Sequence, residues 1–419
     1  MVMAASDCFN QLFFGGALMH AVIGIDVSKA TSQVAVAIDG KVVQNFKITH
    51  DVFGFNQLNS VIMQFNTFPD IVFEATGVYS RRLKTFLEAH NYPYTYLNPL
   101  TAKKQLDQLR PNKNDLNDAK HLAETQFILK RAKSYVQNPI YIELQDMSRF
   151  YQQLNHDIVS AKNRLHRLLQ LTFPEIETLF STTDSQQYWE IVSLIPHATM
   201  AKHSRQTLSD TIQSSVSRQI GVARLTRLVD KLVALGSLSA PAVAVASYNV
   251  TEVRYYAQRL IALSQSKANV LATMVDQTKD LPEYDIYQSI PGFSDKTVVS
   301  LIAELGDLHR FATSNKLNAF VGIDLRFNDS GDYKSSGFIT KRGNTIARKV
   351  LFKAISNIAS TATYGHQNHI NDWYQKKKQS SMSKGTKKIA IGAMSRLLRT
   401  MHYLVLNNQL YDYDTASKR

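Results

Sequence analysis

The chain has 419 residues, 44% of them hydrophobic, so it can bury a substantial core and its length suits two or three domains. Its 48 Lys and Arg against 34 Asp and Glu give a formal charge of +14, which points to a polyanionic partner such as a phosphate backbone without specifying any chemistry. The lone cysteine, Cys8, excludes an internal disulfide and a cysteine zinc cluster, and fits a reducing cytoplasmic compartment.

Leu12 to Ile25 is a mostly apolar run preceded by Asp7 and by no Lys or Arg. It lacks the positive start of a signal peptide and is too short to span a bilayer. Met19 directly precedes His-Ala-Val-Ile-Gly-Ile-Asp, so residues 1–18 are expected to be an upstream extension of a chain that naturally starts at Met19. No other segment reads as transmembrane, and no membrane partner is expected.

From Ala21 the strand signals are dense: Ala21 to Val27, Gln33 to Ile38 and Lys41 to Ile48. Ser28 to Ser32 and the hairpin dipeptide Asp39-Gly40 separate them, predicting three antiparallel strands. A helix over Val52 to Phe65 follows, then a buried strand Asp70 to Ala75, a helix from about Tyr79 to His90, and a short strand Tyr94 to Leu97. Strands giving way to strand–helix alternation predict an α/β mixed sheet with helices on its faces. That order matches a ribonuclease-H-like (RuvC-like) fold.

Four acids stand out in this layout. Asp26 lies on the first strand and Glu74 at the end of the fourth, which would be neighbours. Asp115 and Asp118, in Lys113-Asn-Asp-Leu-Asn-Asp-Ala-Lys120, are three apart and share one face of an expected helix. Hard oxygen ligands of this kind suit Mg²⁺, and two such ions could stabilise the attacking and leaving oxygens of an in-line displacement. Each acid also has an ordinary reading as a turn marker or a helix-dipole partner; the joint pattern is the specific one.

In the middle of the chain Leu144, Met147, Tyr151, Leu154, Ile158, Ala161, Leu165 and Leu168 recur at alternating steps of three and four, as do Val253, Tyr256, Leu260, Leu263, Lys267, Val270 and Met274. Sustained heptads predict a coiled coil, the alternative being long amphipathic helices packed on their own domain. Between them, residues 181–241 carry mixed helical patterns and no assignable role. Further on, Ser289-Ile-Pro-Gly-Phe293 enters a helix, with Gly292 allowing close backbone approach, either by a phosphate or in a plain connection. Asp329-Ser330-Gly331 reads as a turn that can expose a hydroxyl. Lys341, Arg342, Arg348, Lys349, Lys353, Lys376 to Lys378, Lys384, Lys387 and Lys388 cluster with Phe338, Trp373 and Tyr374, a mixture suited to backbone contacts with some base stacking, or to solvated helix faces. There is no Walker-type phosphate loop, zinc-finger spacing or evident DNA-reading helix.

Gly24-Ile-Asp26-Val-Ser-Lys29, Phe73-Glu74-Ala-Thr-Gly-Val-Tyr79 and Lys113-Asn-Asp115-Leu-Asn-Asp118-Ala119 resemble the three signature blocks of the Asp-Glu-Asp-Asp (DEDD) insertion-sequence transposases, the bridge-RNA class that also contains the Piv-type DNA invertases. Ser289 to Phe293, Ala303 to Gly306, Phe320 to Ile323, Ser330-Gly331 and Gly337 to Asn344 resemble the C-terminal part of the same family, so the likeness covers nearly all of the chain after Met19. The resemblance implies a metal-dependent transposase in which Asp26, Glu74, Asp115 and Asp118 hold Mg²⁺ and Ser330 is the nucleophile that attaches to DNA. Ser335 or Ser336 takes that role if the match is shifted. It also implies double-stranded DNA at element ends and target as substrate, a guide (bridge) RNA choosing the site, and a homo-oligomer, dimer or tetramer, paired through the heptads.

The expected layout is therefore an extension at 1–18, a ribonuclease-H-like catalytic domain at 19–135, a coiled-coil and helical region at 136–285, a mainly α-helical serine transposase domain at 286–410 and a tail at 411–419. The competing enzyme class is a Holliday-junction or structure-specific nuclease using the same carboxylates with water as nucleophile. A basic, non-enzymatic nucleic-acid scaffold is the third reading.

Overall fold

β1 (Ala21–Val27), β2 (Thr31–Ile38) and β3 (Lys41–Thr49) follow one another as an antiparallel meander in the computed structural model of the chain. The described residues are 20–98, 115–326, 338–380 and 385–418, with the side chains of Asp115, Leu116, Leu325, Arg326 and Phe338 also outside the description. Asp39 and Gly40 both take positive φ, 46° and 82°, the pair of left-handed residues that a two-residue hairpin needs to match the twist of its strands. Two compact units result, residues 1–136 and 137–419.

In the first unit α1 (Val52–Ile62), β4 (Asp70–Glu74), α2 (Ser80–Ala89), β5 (Tyr94–Leu97) and α3 (Asp115–Leu129) complete the fold. The sheet order is β3-β2-β1-β4-β5, with β4 parallel to both β1 and β5. It is the mixed sheet that the strand-then-alternation pattern predicts, compatible with a ribonuclease-H-like domain. Alternation along the strands sorts side chains to two faces. Ile23, Ile25, Val27, Ile71 and Phe73 pack with Leu58 and Ile62 of α1 and Leu83 and Leu87 of α2. On the other face Val22, Val72 and Leu97 pack with Leu122 and Ala123 of α3. Asp51 caps α1, its Oδ1 accepting from the Gly54 amide at 2.9 Å and from the Thr49 hydroxyl at 2.7 Å, and these bonds hold its carboxyl below the usual range.

The second unit is helical. α4 (Pro139–Thr172), α5 (Gln186–Leu194), α6 (Arg205–Ser215), α7 (Val222–Leu238), α8 (Tyr248–Thr278), α9 (Pro282–Gln288), α10 (Asp295–Leu305) and α11 (Ser314–Val321) precede a two-strand ladder, β6 (Leu325–Arg326) and β7 (Phe338–Ile339). α12 (Thr345–Ala362), α13 (His369–Gln379), α14 (Thr386–Leu406) and α15 (Tyr413–Ser417) follow. Among the described residues no helix is long and apolar enough to cross a membrane.

The heptad runs do form long helices, but each is the other's partner. Tyr141 and Leu144 at the start of α4 share a core with Met274 at the end of α8, while Ile158, Ala161 and Leu165 share one with Val253, Ala257 and Leu260 at the start of α8. The two helices therefore run antiparallel within one chain, and the seam expected to join protomers is filled internally. Lys267, the charged interruption in the second run, sets its Nζ 5.5 Å from the centre of the buried Tyr151 ring, with Lys296 at 5.3 Å from the same ring. A cation over an aromatic face is tolerated where an isolated charge would not be. α5, α6 and α7, from the stretch without an assignable sequence signal, pack on the α4 end and α8 start.

Candidate active site

Ile25 pairs with Phe73 in the parallel β1–β4 ladder, and Asp26 and Glu74 are the next residues on those adjacent strands. Val22 and Val72 face α3, so by the two-residue period Gly24, Asp26 and Glu74 face it too. Both acids are half-buried. α3 reaches this face because of Gly24: a Cβ there would lie 2.2 Å from the Ala119 carbonyl oxygen and 2.6 Å from the Ala123 amide nitrogen. Close helix–strand approach is a recognised use of glycine in a strand. Ala119 thus rests on β1 two residues before Asp26, and the half-buried Asp118 adjoins Ala119.

The structure brings Asp26, Glu74 and the Asp118 segment to one face of the sheet. Asp115 is the first described position of α3, three residues before Asp118, and its side chain lies outside the described residues, as do Lys113 and Asn114. Around the strand ends, Lys29 is exposed in the turn after β1, and the connection after Glu74 turns at Gly77, φ 63°, to expose Val78 and Tyr79. Sequence reasoning took Gly24, Val78 and Tyr79 only as parts of motifs. A glycine inside a buried strand was the available signal for the first.

The C-terminal blocks converge on Glu304, fully buried on α10. Its Oε1 accepts from Ser148 Oγ at 2.7 Å and its Oε2 from Asn344 Nδ2 at 2.7 Å. Asn344 Oδ1 in turn caps α12, accepting from the Ile346 and Ala347 amides at 3.0 Å each. Phe320 to Ile323 and Lys341 to Asn344 interlock through Asn344 N to Phe320 O at 2.8 Å and Lys341 N to Gly322 O at 3.1 Å. Gly343 permits this, since a Cβ there would sit 2.4 Å from the Phe320 oxygen. The interlock and the β6–β7 ladder hold the two ends of residues 327–337. Ser330, Ser335 and Ser336 lie outside the described residues.

Gly292 uses its missing side chain against a helix: at φ 96° a Cβ would lie 2.7 Å from Ile358 Cα of α12. Of the two readings of that turn, close packing is the one the structure displays. Lys341, Arg342, Lys349, Lys353, Lys376 to Lys378, Lys387 and Lys388 are exposed, while Lys384 lies outside the described residues. The interleaved aromatics take part: Arg396 stands 4.9 Å from the Trp373 ring and Lys378 5.4 Å from Tyr374.

Acidic strand ends on the mixed sheet of the first unit, and an exposed basic surface on the helical unit, suit an enzyme that acts on a polyanion. Residues 23–174 match the family model for DEDD transposases of the IS110 type, described as a transposase, and residues 284–371 match the one described as the transposase IS116/IS110/IS902 family. The chain is 26% identical over 333 residues to the transposase for insertion sequence element IS1111A of Coxiella burnetii (strain RSA 493 / Nine Mile phase I), over 79% of this chain and 75% of that one. The chain belongs to the IS110 family of DEDD insertion-sequence transposases.

Proposed function

We propose that this transposase cuts and rejoins the DNA of its own element with Asp26, Glu74, Asp115 and Asp118 as its carboxylate set and Ser330 as its nucleophile. The observation that carries the reading is the shared face of Asp26 and Glu74 on adjacent parallel strands, with α3 resting on Gly24 beside them. An all-oxygen donor set of this kind, with Asp26, Glu74 and Asp118 half-buried, fits Mg²⁺ and not a thiolate- or imidazole-seeking ion. When bound, Mg²⁺ would supply charge stabilisation at the scissile phosphate and lower the pKa of a coordinated hydroxyl.

The chain's own residues hold and orient. Gly24 fixes the distance of α3 from the sheet, the β6–β7 ladder and the Glu304–Asn344 network order the described residues on either side of 327–337, and exposed Tyr79 offers a stacking face in the connection that follows Glu74. In the covalent step the Ser330 hydroxyl gives up its proton to solvent and its oxygen forms a bond to the scissile phosphorus as the bond from phosphorus to one sugar oxygen breaks, that oxygen taking up a proton to leave as a sugar hydroxyl. Strand exchange then reverses the step with a different sugar hydroxyl. The exposed lysines of α12, α13 and α14 take the phosphate backbone of DNA and of a guide RNA, which supplies the choice of sequence. Protomers assemble as a dimer or tetramer around the DNA. The layout assigns carboxylate chemistry to residues 19–135, a scaffold to 136–285 and the serine to 286–410.

The test is denaturing electrophoresis of end-labelled element ends with magnesium. Asp26→Asn, Glu74→Gln and Asp118→Asn are expected to lose cleavage while retaining DNA binding. Ser330→Ala is expected to lose the covalent protein–DNA species. Undiminished cleavage by any of the three acid variants overturns the carboxylate set. An adduct that survives Ser330→Ala and vanishes in Ser336→Ala moves the nucleophile, and cleavage with no adduct in the wild type selects the water-using nuclease. RNA sequencing of the purified complex tests the guide.

A further inference from the structure

A second group of metal-ligand side chains lies in the helical unit, apart from the strand-end acids. Glu283, in the first turn of α9, is 2% exposed. One of its carboxylate oxygens, Oε1, accepts from the Tyr141 hydroxyl of α4 at 2.8 Å. The other, Oε2, is sealed from solvent and has no hydrogen-bond partner among the described residues. The next turn of α9 adds nothing to it, because the Tyr287 hydroxyl is itself buried and has no partner among the described residues. Among the described residues no Lys or Arg forms an ion pair with Glu283. A buried carboxylate oxygen in that position calls for a cation or a proton.

Two metal-ligand side chains, Asp307 and His309, lie close to Glu283. α10 ends at Gly306, φ 63°, and the chain turns so that Asp307 caps a short 3-10 turn, Leu308–Arg310. Asp307 Oδ1 accepts from the His309 amide at 2.9 Å and lies 2.8 Å from His309 Nδ1. One ligand atom from each of Glu283, Asp307 and His309 lies within 4.8 Å of the other two. Glu283 forms the buried floor, Asp307 is half-buried and His309 is exposed, so an ion could enter from the His309 side.

We propose that Glu283, Asp307 and His309 form a site for one zinc-class divalent cation. Two carboxylates with one imidazole are a donor set for Zn²⁺, whereas Mg²⁺ and Ca²⁺ favour oxygen alone. Three protein ligands leave a fourth position to water on the exposed side. The ion gives the stranded Glu283 oxygen its partner and ties the start of α9 to the turn that follows α10. Its role is structural: metal bound only by the folded arrangement adds its binding free energy to the stability of the unit.

The test uses the full chain, freed of metal and titrated with Zn²⁺ or Mg²⁺, with bound zinc measured by elemental analysis after dialysis and stability by thermal melting. Wild type is expected to retain one zinc more than His309→Ala and to melt higher with zinc; His309→Ala is expected to bind at least tenfold more weakly at this site and to lose the shift. Asp26→Asn is expected to keep both, which separates this site from the strand-end acids. His309 is exposed, so its variants should fold; if Glu283→Gln fails to fold, His309→Ala and His309→Gln decide the matter. Equal zinc content and equal melting shifts in wild type and His309→Ala overturn the proposal.

Discussion

Gly24→Ala is the most informative single perturbation of the N-terminal unit, because it adds one methyl group between β1 and α3. The added carbon would meet the Ala119 oxygen at 2.2 Å and the Ala123 nitrogen at 2.6 Å, backbone atoms that cannot rotate away. Ordinary contact lies above 3 Å, so the helix must retreat by about 1 Å. Overpacking of this kind costs about 1–3 kcal/mol, or a melting-temperature drop of roughly 3–10 °C for a unit of this size. The same retreat carries Asp118 away from Asp26 and Glu74, and a misplacement of about 1 Å can reduce a rate on the order of 100-fold. Thermal melting followed by circular dichroism, beside magnesium-dependent cleavage of labelled element ends, reads both effects. A Gly24→Ala protein that melts and cleaves like the wild type would refute the close approach and, with it, the argument that brings Asp118 to the strand ends.

Three further outcomes are expected. Asn344→Ala removes the cap of α12 and leaves a buried oxygen of Glu304 short of its donor, together about 2–4 kcal/mol, checked by urea titration. Leu154→Asp with Ile158→Asp buries two charges in a seam that α8 of the same chain already fills, so residues 137–419 should unfold, at more than about 4 kcal/mol; a folded double variant that merely dissociates in light scattering would reinstate pairing between protomers. Burial first, and Arg82 second, lower the pKa of His50, whose Nε2 sits 2.7 Å from Ser32 Oγ. An unfolded chain therefore binds the proton more readily: this stability is fully present above the ordinary histidine value of about 6.5 and is lost as pH falls through the lower folded value. His50→Gln should flatten the acid side of the stability curve, and an unchanged slope would exclude His50 as its cause.

The first unit was legible because its signals are local. Alternating apolar residues, the Asp39-Gly40 dipeptide and the Asp51 cap each act within a few positions of themselves, and the observed elements fall within three residues of the expected ends. The heptads gave two long helices correctly but not their partner, since periodicity reports an apolar stripe and is silent on what covers it. The charge of Lys267 at a heptad position is accommodated by the ring of Tyr151, far away in sequence. Glu283, Asp307 and His309 were illegible for the same reason: only the fold across α9, α10 and the following turn brings them together. Gly24 was visible as a letter in a motif, but its role is a distance between two backbones.

The α4–α8 pair has a consequence for how the helical unit comes apart. At 1.5 Å per residue the 34 residues of α4 extend about 50 Å, and its two halves are built into different apolar clusters. Neither cluster can be dismantled without stripping one side from a helix that the other still needs. The unit is thus wired for all-or-none melting despite containing two cores. Damage at the α5–α7 end is felt as lost stability around Glu304, at the far end of the same two helices.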